Sequence, residues 1–279
     1  MNDFKKLSSN LHLNDDGIWY SSNQSKISYP EEGNSACFAV EETSFWFKHR
    51  NNCINSVVKL FPPHENTIFD IGGGNGYVSL GLESKGVTSV LVEPGIHGIA
   101  NAKSRGLKNL ICSTTEQAEF KPNSIPAIGL FDVVEHIEHD KEFLQSIFHL
   151  LQKNGRVYIT VPAYSFLWSQ DDISAGHFRR YTTNQIEALL IESGFHIEYS
   201  SYFFNFLPLP IYCLKSLPYL LGLTKNKKNN TTVSKDHEIK EGLGKKILNY
   251  FLRSELKKIN KKSTMNFGGS CLIVAKAIK

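Results

Sequence analysis

The chain has little of what would mark it as secreted, zinc-bound or membrane-spanning. Its five cysteines, at positions 37, 53, 112, 213 and 271, are scattered, odd in number and without a C-x-x-C pair. That pattern argues against a disulfide framework or a structural zinc site and suits a reducing compartment. The opening residues, Met1-Asn2-Asp3-Phe4-Lys5-Lys6, run into polar sequence and lack the apolar core of a signal peptide. The two strongly apolar stretches, Phe206–Leu214 and Leu217–Leu223, each fall short of the roughly 20 residues a spanning helix needs. A cytoplasmic protein is therefore expected. The net charge of +4 is too small to argue for nucleic acid by itself. With 41% hydrophobic and 21% charged residues over 279 positions, the chain can bury one substantial core.

Two familiar phosphate-binding patterns are also missing. No Gly-Lys-Ser/Thr follows the glycine cluster, so it is not a P-loop. A dinucleotide fingerprint, G-x-G-x-x-G, fails in both registers, because Tyr77 or Ser79 stands in the last place. What stands there is D-x-G-x-G-x-G: Asp70, Gly72, Gly74 and Gly76. Upstream, Thr67-Ile68-Phe69 reads as a buried parallel strand, and downstream Val78, Leu80 and Leu82 open the next apolar segment. Alternate glycines let the backbone turn tightly and approach a ligand closely. A second strand, Ser89–Val92, ends at Glu93, 17 residues after Gly76. An acid there suits hydrogen bonds from a ribose diol.

Strand and helix patterns alternate from there on. Strands are expected near 66–71, 88–93, 107–112, 126–133, 155–162 and 195–204, with helices near 76–85, 95–105, 139–152 and 183–193. The alternation implies a parallel sheet covered on both faces, with ligands at the C-terminal strand ends. Thr182 and Gln185 form a capping box for the last of these helices. Residues 36–60 read as one helix carrying Phe45-Trp46-Phe47 and His49-Arg50, ended by Pro62-Pro63. Residues 1–35 read as a tail or loose cover. A final strand is expected over 270–275.

The fourth strand runs into Asp132-Val133-Val134-Glu135-His136. If a helical turn follows, Asp132, Glu135 and His136 project to one side. Such a set could move a proton or hold a divalent metal. After the fifth strand comes Tyr164, then Gly176-His177-Phe178-Arg179-Arg180-Tyr181-Thr182. The loop 163–181 should border an acceptor pocket. There Arg179 and Arg180 could hold an anion or pair with Asp171, Asp172 or Glu135, and His177 could act as base or ligand.

The glycine motif with Glu93 resembles class I S-adenosylmethionine-dependent methyltransferases. With residues 41–50, D-V-V-E-H and H-x-R-R-Y-T in the same order, the chain is similar to a subgroup found with bacterial polysaccharide and glycolipid enzymes. The resemblance covers residues 36–204 and the last strand. It implies a Rossmann-like, doubly wound, three-layer α/β/α domain with a seven-stranded sheet and an antiparallel last strand, formed by 36–204 with 265–279. It implies S-adenosylmethionine as cofactor, with Asp70 at the methionine amino end, Gly72 and Gly74 beneath the ligand, and Glu93 on the ribose. Phe47 and Arg50 would close over it, Arg50 near its carboxylate, and Asp132 would lie near the transferred methyl. Ser113, Thr114 and Thr115 stand where the family contacts adenine, with Thr114 in a place that is commonly acidic there. His136 and His177 would handle the proton, assisted by Asp132, and Tyr164, His177, Arg179, Arg180 and Tyr181 would meet the acceptor.

The expected activity is O-methylation of a sugar, a lipid-linked saccharide or another small polar metabolite. Ubiquinone-pathway and small-RNA 2′-O-methyltransferases hold a metal on a similar cluster. This chain has Asp132 where those have Glu, so no metal is expected, with Asp132, Glu135 and His136 as the alternative set. RNA 2′-O-methylation and a non-catalytic scaffold or membrane tether are the competing readings, and nucleic acid is not the expected partner. Outside the resemblance lies 205–264. From Lys215 to Lys262 there are thirteen Lys/Arg against four Asp/Glu, and the link from Lys225 to Asp236 should be mobile. The segment reads as an apolar and basic helical insertion, either a lid or an element lying on an anionic membrane surface.

Overall fold

The computed structural model describes residues 4–22, 37–223 and 242–279. The link Lys225–Asp236, Pro30, Gly33 and Ala36 lie outside them. Nine strands form one sheet: β1 (Leu11–Leu13), β2 (Trp19–Ser21), β3 (Thr67–Ile71), β4 (Thr88–Val92), β5 (Leu110–Cys112), β6 (Ile125–Phe131), β7 (Leu151–Pro162), β8 (Phe195–Phe203) and β9 (Ser270–Ala277). Their spatial order is β1-β2-β5-β4-β3-β6-β7-β9-β8. Strands β2 to β7 pair in parallel, and β9 runs antiparallel between β7 and β8. The chain moves outward from β3 through β4 to β5, then returns to β6 on β3's other side. That reversal opens a crevice at the carboxyl ends of β3 and β6.

The period-two alternation of the strands divides the core into two layers. Phe69, Ile128, Val157 and Ile159 face the helices Asp140–Leu150 and Thr183–Glu192. Ile68, Ala127 and Tyr158 face the helices Phe45–Leu60 and Tyr77–Glu83. The capping box forms as read: Thr182 Oγ1 accepts the Gln185 N–H, and Gln185 Oε1 accepts the Thr182 N–H at 2.8 Å.

Three expectations change. The seven-stranded sheet gains a two-stranded edge, because Trp19 and Tyr20 pair in parallel with Ile111 and Cys112. Part of the loose tail is therefore sheet, and Phe4, Leu11, Ile18 and Trp19 are buried. Three-residue strands leave too short a periodic pattern to read locally. The helix expected over 36–60 is interrupted after 37–41, and Ser44 restarts it by accepting the N–H groups of Trp46 and Phe47. Finally, part of the insertion is core. The helix Leu243–Asn260 packs Leu252 and Ile259 beside the Phe45–Leu60 helix, completing that layer. Glu255 is buried with them, accepting the N–H groups of Phe204 and Asn205, each at 2.8 Å, and lying 2.6 Å from His49 Nε2.

Candidate active site

The crevice has a half built from backbone and a half built from side chains. On the first, β3 carries fully buried Asp70 to the crevice floor. Ser79 Oγ donates to Asp70 Oδ2 at 2.7 Å, while Oδ1 is buried without a partner. Burial pushes this carboxyl up to about 6, against the opposing pull of Ser79 and Arg50. Gly72 and Gly74 then turn with φ of 65° and 53°, which side chains rarely allow. Gly73 is closed to substitution, since a Cβ there would lie 2.1 Å from Leu91 Cδ1. Glu93 Oε2 accepts the Gly74 N–H at 2.9 Å and Oε1 accepts that of Gly95 at 2.7 Å. Burial raises the Glu93 pKa, with the two N–H groups opposing it. The acid expected at a ribose thus also fixes the glycine loop, with a second lone pair left on each oxygen.

Beneath the loop lies a network the sequence did not announce. Arg105 Nη1 donates to Glu41 Oε2 at 2.6 Å and to the Asn75 carbonyl at 2.8 Å. Asn75 Oδ1 accepts from Asn101 at 2.9 Å. Single charges 64 residues apart carry no local signal. At the expected adenine end, Ser113 and Thr115 are buried, and Thr114 Oγ1 is used as a cap that accepts the Gln117 N–H at 3.2 Å.

On the other half, β6 ends in Asp132 at φ 59°. Thr160 Oγ1 donates to its Oδ1 at 2.9 Å. Arg50 Nε lies 2.6 Å from its Oδ2, an ion pair off the line of a hydrogen bond. Arg50 also donates to the Phe131 carbonyl at 2.7 Å and lies over the Trp46 ring. Arg50, expected near a donor's carboxylate, is thus held at the end of β6. Phe47 is half-buried, edge-on to Tyr77.

Asp132, expected in one set with Glu135 and His136, is engaged by Thr160 and Arg50, while its charge still reaches both of them. The donors that converge are Glu135, His136 and His177, within 4.8 Å of one another. His136 and His177 meet edge to face at 4.8 Å. Glu135 Oε2 is buried without a partner, and burial and Asp132 hold its carboxyl well above the usual range. Burial and neighbouring His177 lower His136 to about 4, so it stays neutral.

Asp172 organises this half. His177 Nδ1 lies 2.8 Å from its Oδ1, and Arg180 Nε and Nη2 bind the two oxygens at 2.7 and 3.0 Å. It also caps its own helix through the Ser169 N–H. Despite the cost of burial, His177, Arg180 and that N–H hold Asp172 down at about 2. The S-x-x-D spacing of Ser169 and Asp172 was a legible cap signal, but its second role depends on the fold.

Both arginines expected to face an acceptor pair within the chain. Arg179 donates to Asp140 Oδ2 at 2.8 Å and to the Glu138 carbonyl at 2.7 Å, and Arg180 binds Asp172. Tyr181, also expected at the acceptor, is buried, with its hydroxyl on Asp140. Tyr164, at φ 55°, stacks on Tyr202 and Phe166 beside the crevice.

With this geometry in view, a family model described as a methyltransferase domain matches residues 45–200, more than half of the chain. The chain belongs to that methyltransferase family. It is an enzyme whose family draws its methyl group from S-adenosylmethionine. Solved structures show the same fold at low identity. A methyltransferase from Thermotoga maritima is 15% identical with a TM-score of 0.53, over 88% of this chain and 95% of that one. Phosphoethanolamine N-methyltransferase 2 from Haemonchus contortus, with phosphomonomethylethanolamine and S-adenosylhomocysteine, is 17% identical with a TM-score of 0.57, over 91% of this chain and 59% of its own. The plantazolicin methyltransferase BamL, with a substrate analogue and S-adenosylhomocysteine, is 16% identical with a TM-score of 0.52, over 90% and 92%. No curated protein sequence matches this methyltransferase.

Proposed function

We propose that this methyltransferase acts on a hydroxyl oxygen of a sugar, a lipid-linked saccharide or another small polar acceptor. The observation that carries this reading is the Asp172–His177 couple beside His136. Asp172 is ionised and can only accept, so the 2.8 Å contact puts the His177 proton on Nδ1. Nε2 is then left to accept a proton, as a general base for a hydroxyl must. Arg180 holds Asp172 so that the imidazole keeps one orientation.

The donor's place is argued from the first half of the crevice. The left-handed turns at Gly72 and Gly74, the partnerless Oδ1 of Asp70 and the spare lone pairs of Glu93 suit a ligand with an ammonium at one end and a diol at the other. Bound there, S-adenosylmethionine supplies a methyl on a sulfonium whose sulfur leaves with the bonding pair. The chain's own work is alignment and proton removal. Asp70 and Glu93 fix the two ends of the donor, Tyr164 and the 163–181 loop border the acceptor, and His177 takes the hydroxyl proton.

The test is a turnover assay with hydroxyl and amine acceptors, following S-adenosylhomocysteine release with and without EDTA. Turnover on hydroxyl acceptors that survives EDTA is expected, and activity confined to amines overturns the reading. A second reading is favoured by the unpaired Glu135 Oε2 beside His136 and His177. These three could hold a divalent cation that lowers the acceptor hydroxyl's pKa, as an RNA 2′-O-methyltransferase would need. Loss of activity in EDTA, restored by manganese, would select it.

A further inference from the structure

After β8 the chain forms a continuous helical segment: Pro208–Ile211, a π turn over Tyr212–Ser216, then Leu217–Leu220. Its inner side is seated, with Pro208 and Ser216 buried and Tyr212 against Phe166 at 6.1 Å. Along it runs a stripe of exposed leucines at 209, 214, 217, 220, 221 and 223, of which Leu209 and Leu214 are 70% and 75% exposed. Singly exposed leucines need no explanation, but six exposed among residues 209–223 mark an interaction surface.

The neighbouring helix, Leu243–Asn260, repeats the pattern with charge added. Its inner side is Leu252, Glu255 and Ile259. Turned outward are Ile247, Tyr250 and Phe251, with Tyr250 71% exposed, among exposed Lys246, Arg253, Lys257 and Lys258. Phe206, just before the leucine segment, stacks on Phe251 at 5.9 Å and joins the two elements. The helix's one acid, Glu255, is buried on backbone N–H groups, so its outer face is cationic. No helix among the described residues is long and apolar enough to cross a membrane.

We propose that the leucine stripe and the outer face of the Leu243–Asn260 helix together dock on an anionic membrane surface. Leucines enter the acyl boundary while the lysines and arginine meet lipid phosphates. A protein partner or a second copy would use the leucines equally well, but neither is demanded by a cationic face without an exposed acid. The stripe reaches the crevice through Tyr212, Phe166 and Tyr164, so docking sets the acceptor side against the bilayer. The inference deepens the reading of a lipid-linked acceptor and rests on it for its purpose only.

The test is flotation of the full chain, without donor or acceptor, on vesicles of phosphatidylcholine alone or mixed with phosphatidylglycerol. Binding to the mixed vesicles, weakened by high salt, is expected. Leu214→Asp with Leu220→Asp should lower partitioning about tenfold or more, and Lys246→Glu with Lys257→Glu should remove the preference for the anionic lipid. These positions are exposed, so unchanged thermal unfolding should accompany both variants. Absence of vesicle binding overturns the proposal, as does a concentration-dependent dimer that the leucine variant abolishes. Because no methyl transfer is measured, a negative result here leaves the proposed activity standing, and an inactive but vesicle-bound protein has the opposite meaning.

Discussion

The two halves of the crevice are built on different principles. Around Asp70, Gly72, Gly74 and Glu93 the working groups are main-chain turns and one carboxylate that braces them. Around His136, His177 and Asp172 they are side chains from separate segments, each held by an ion pair or by burial. A backbone cradle fits one ligand shape and resists change, since at Gly73 even a methyl group would strike Leu91. A side-chain cluster can be altered one residue at a time, which suits the half that must select an acceptor.

The sharpest way to break this comparison is His177→Ala. Removing the base should lower kcat by about 10³-fold while donor affinity, measured by calorimetry, stays unchanged. A matching loss of donor affinity would mean that the halves are not separate.

Arg180→Ala should come next. Asp172 would remain a buried carboxylate held by fewer partners, at a cost of about 3 kcal/mol in chemical denaturation. The folded pKa of Asp172, about 2, lies below the ordinary aspartate value of 3.8. Its contribution to stability is therefore present above 3.8 and lost as pH falls towards 2. The Arg180→Ala variant should accordingly show a weaker acid transition.

Asp70 has the opposite sign. Its carboxyl sits at about 6 when folded against an ordinary value of 3.8, so the folded state holds its proton more tightly. Stability should fall as pH rises from 3.8 through 6. Asp70→Asn should therefore gain about 2 kcal/mol near neutral pH, after losing part of the Ser79 bond, with the gain vanishing in acid. Donor binding should weaken at the same time. A variant destabilised at neutral pH would refute the assignment of strain to this floor.

The smallest effect in free energy is expected for Glu93→Ala. Donor affinity should fall more than about tenfold, equivalent to about 1.4 kcal/mol, as the brace on Gly74 and the diol contact go together. Unchanged affinity in calorimetric titration would count against the whole reading of the first half.

The same division governs what could be read without coordinates. The strands β3, β4, β6 and β7, the Thr182–Gln185 cap and the glycine turn are local patterns, and the structure reproduces them within a few residues. Asp132 was expected after the fourth strand in company with Glu135 and His136, and it follows β6 with Arg50 and Thr160 as its direct partners. Its two oxygens are engaged by Arg50, 82 positions earlier, and by Thr160, an approach that only the packed layers bring about. Arg180 could be foreseen as an ion-pair donor, but its choice of Asp172 over an acceptor anion belongs to the folded loop. The edge hairpin was hidden because β1 and β2 are three residues each and join the sheet only through β2's pairing with β5.

By itself the sequence determined a doubly wound sheet, a close-approach turn at Gly72–Gly76 and an acid after the second strand. Those depend on backbone φ and on apolar periods two or about 3.6 residues long, which neighbours in the chain decide. The tertiary structure decided which charges meet. Asp172 finds His177 nearby, whereas Glu255 finds His49 and Arg105 finds Glu41 across more than sixty positions. An ion pair stabilises through distance and desolvation, and neither quantity exists until the layers have packed.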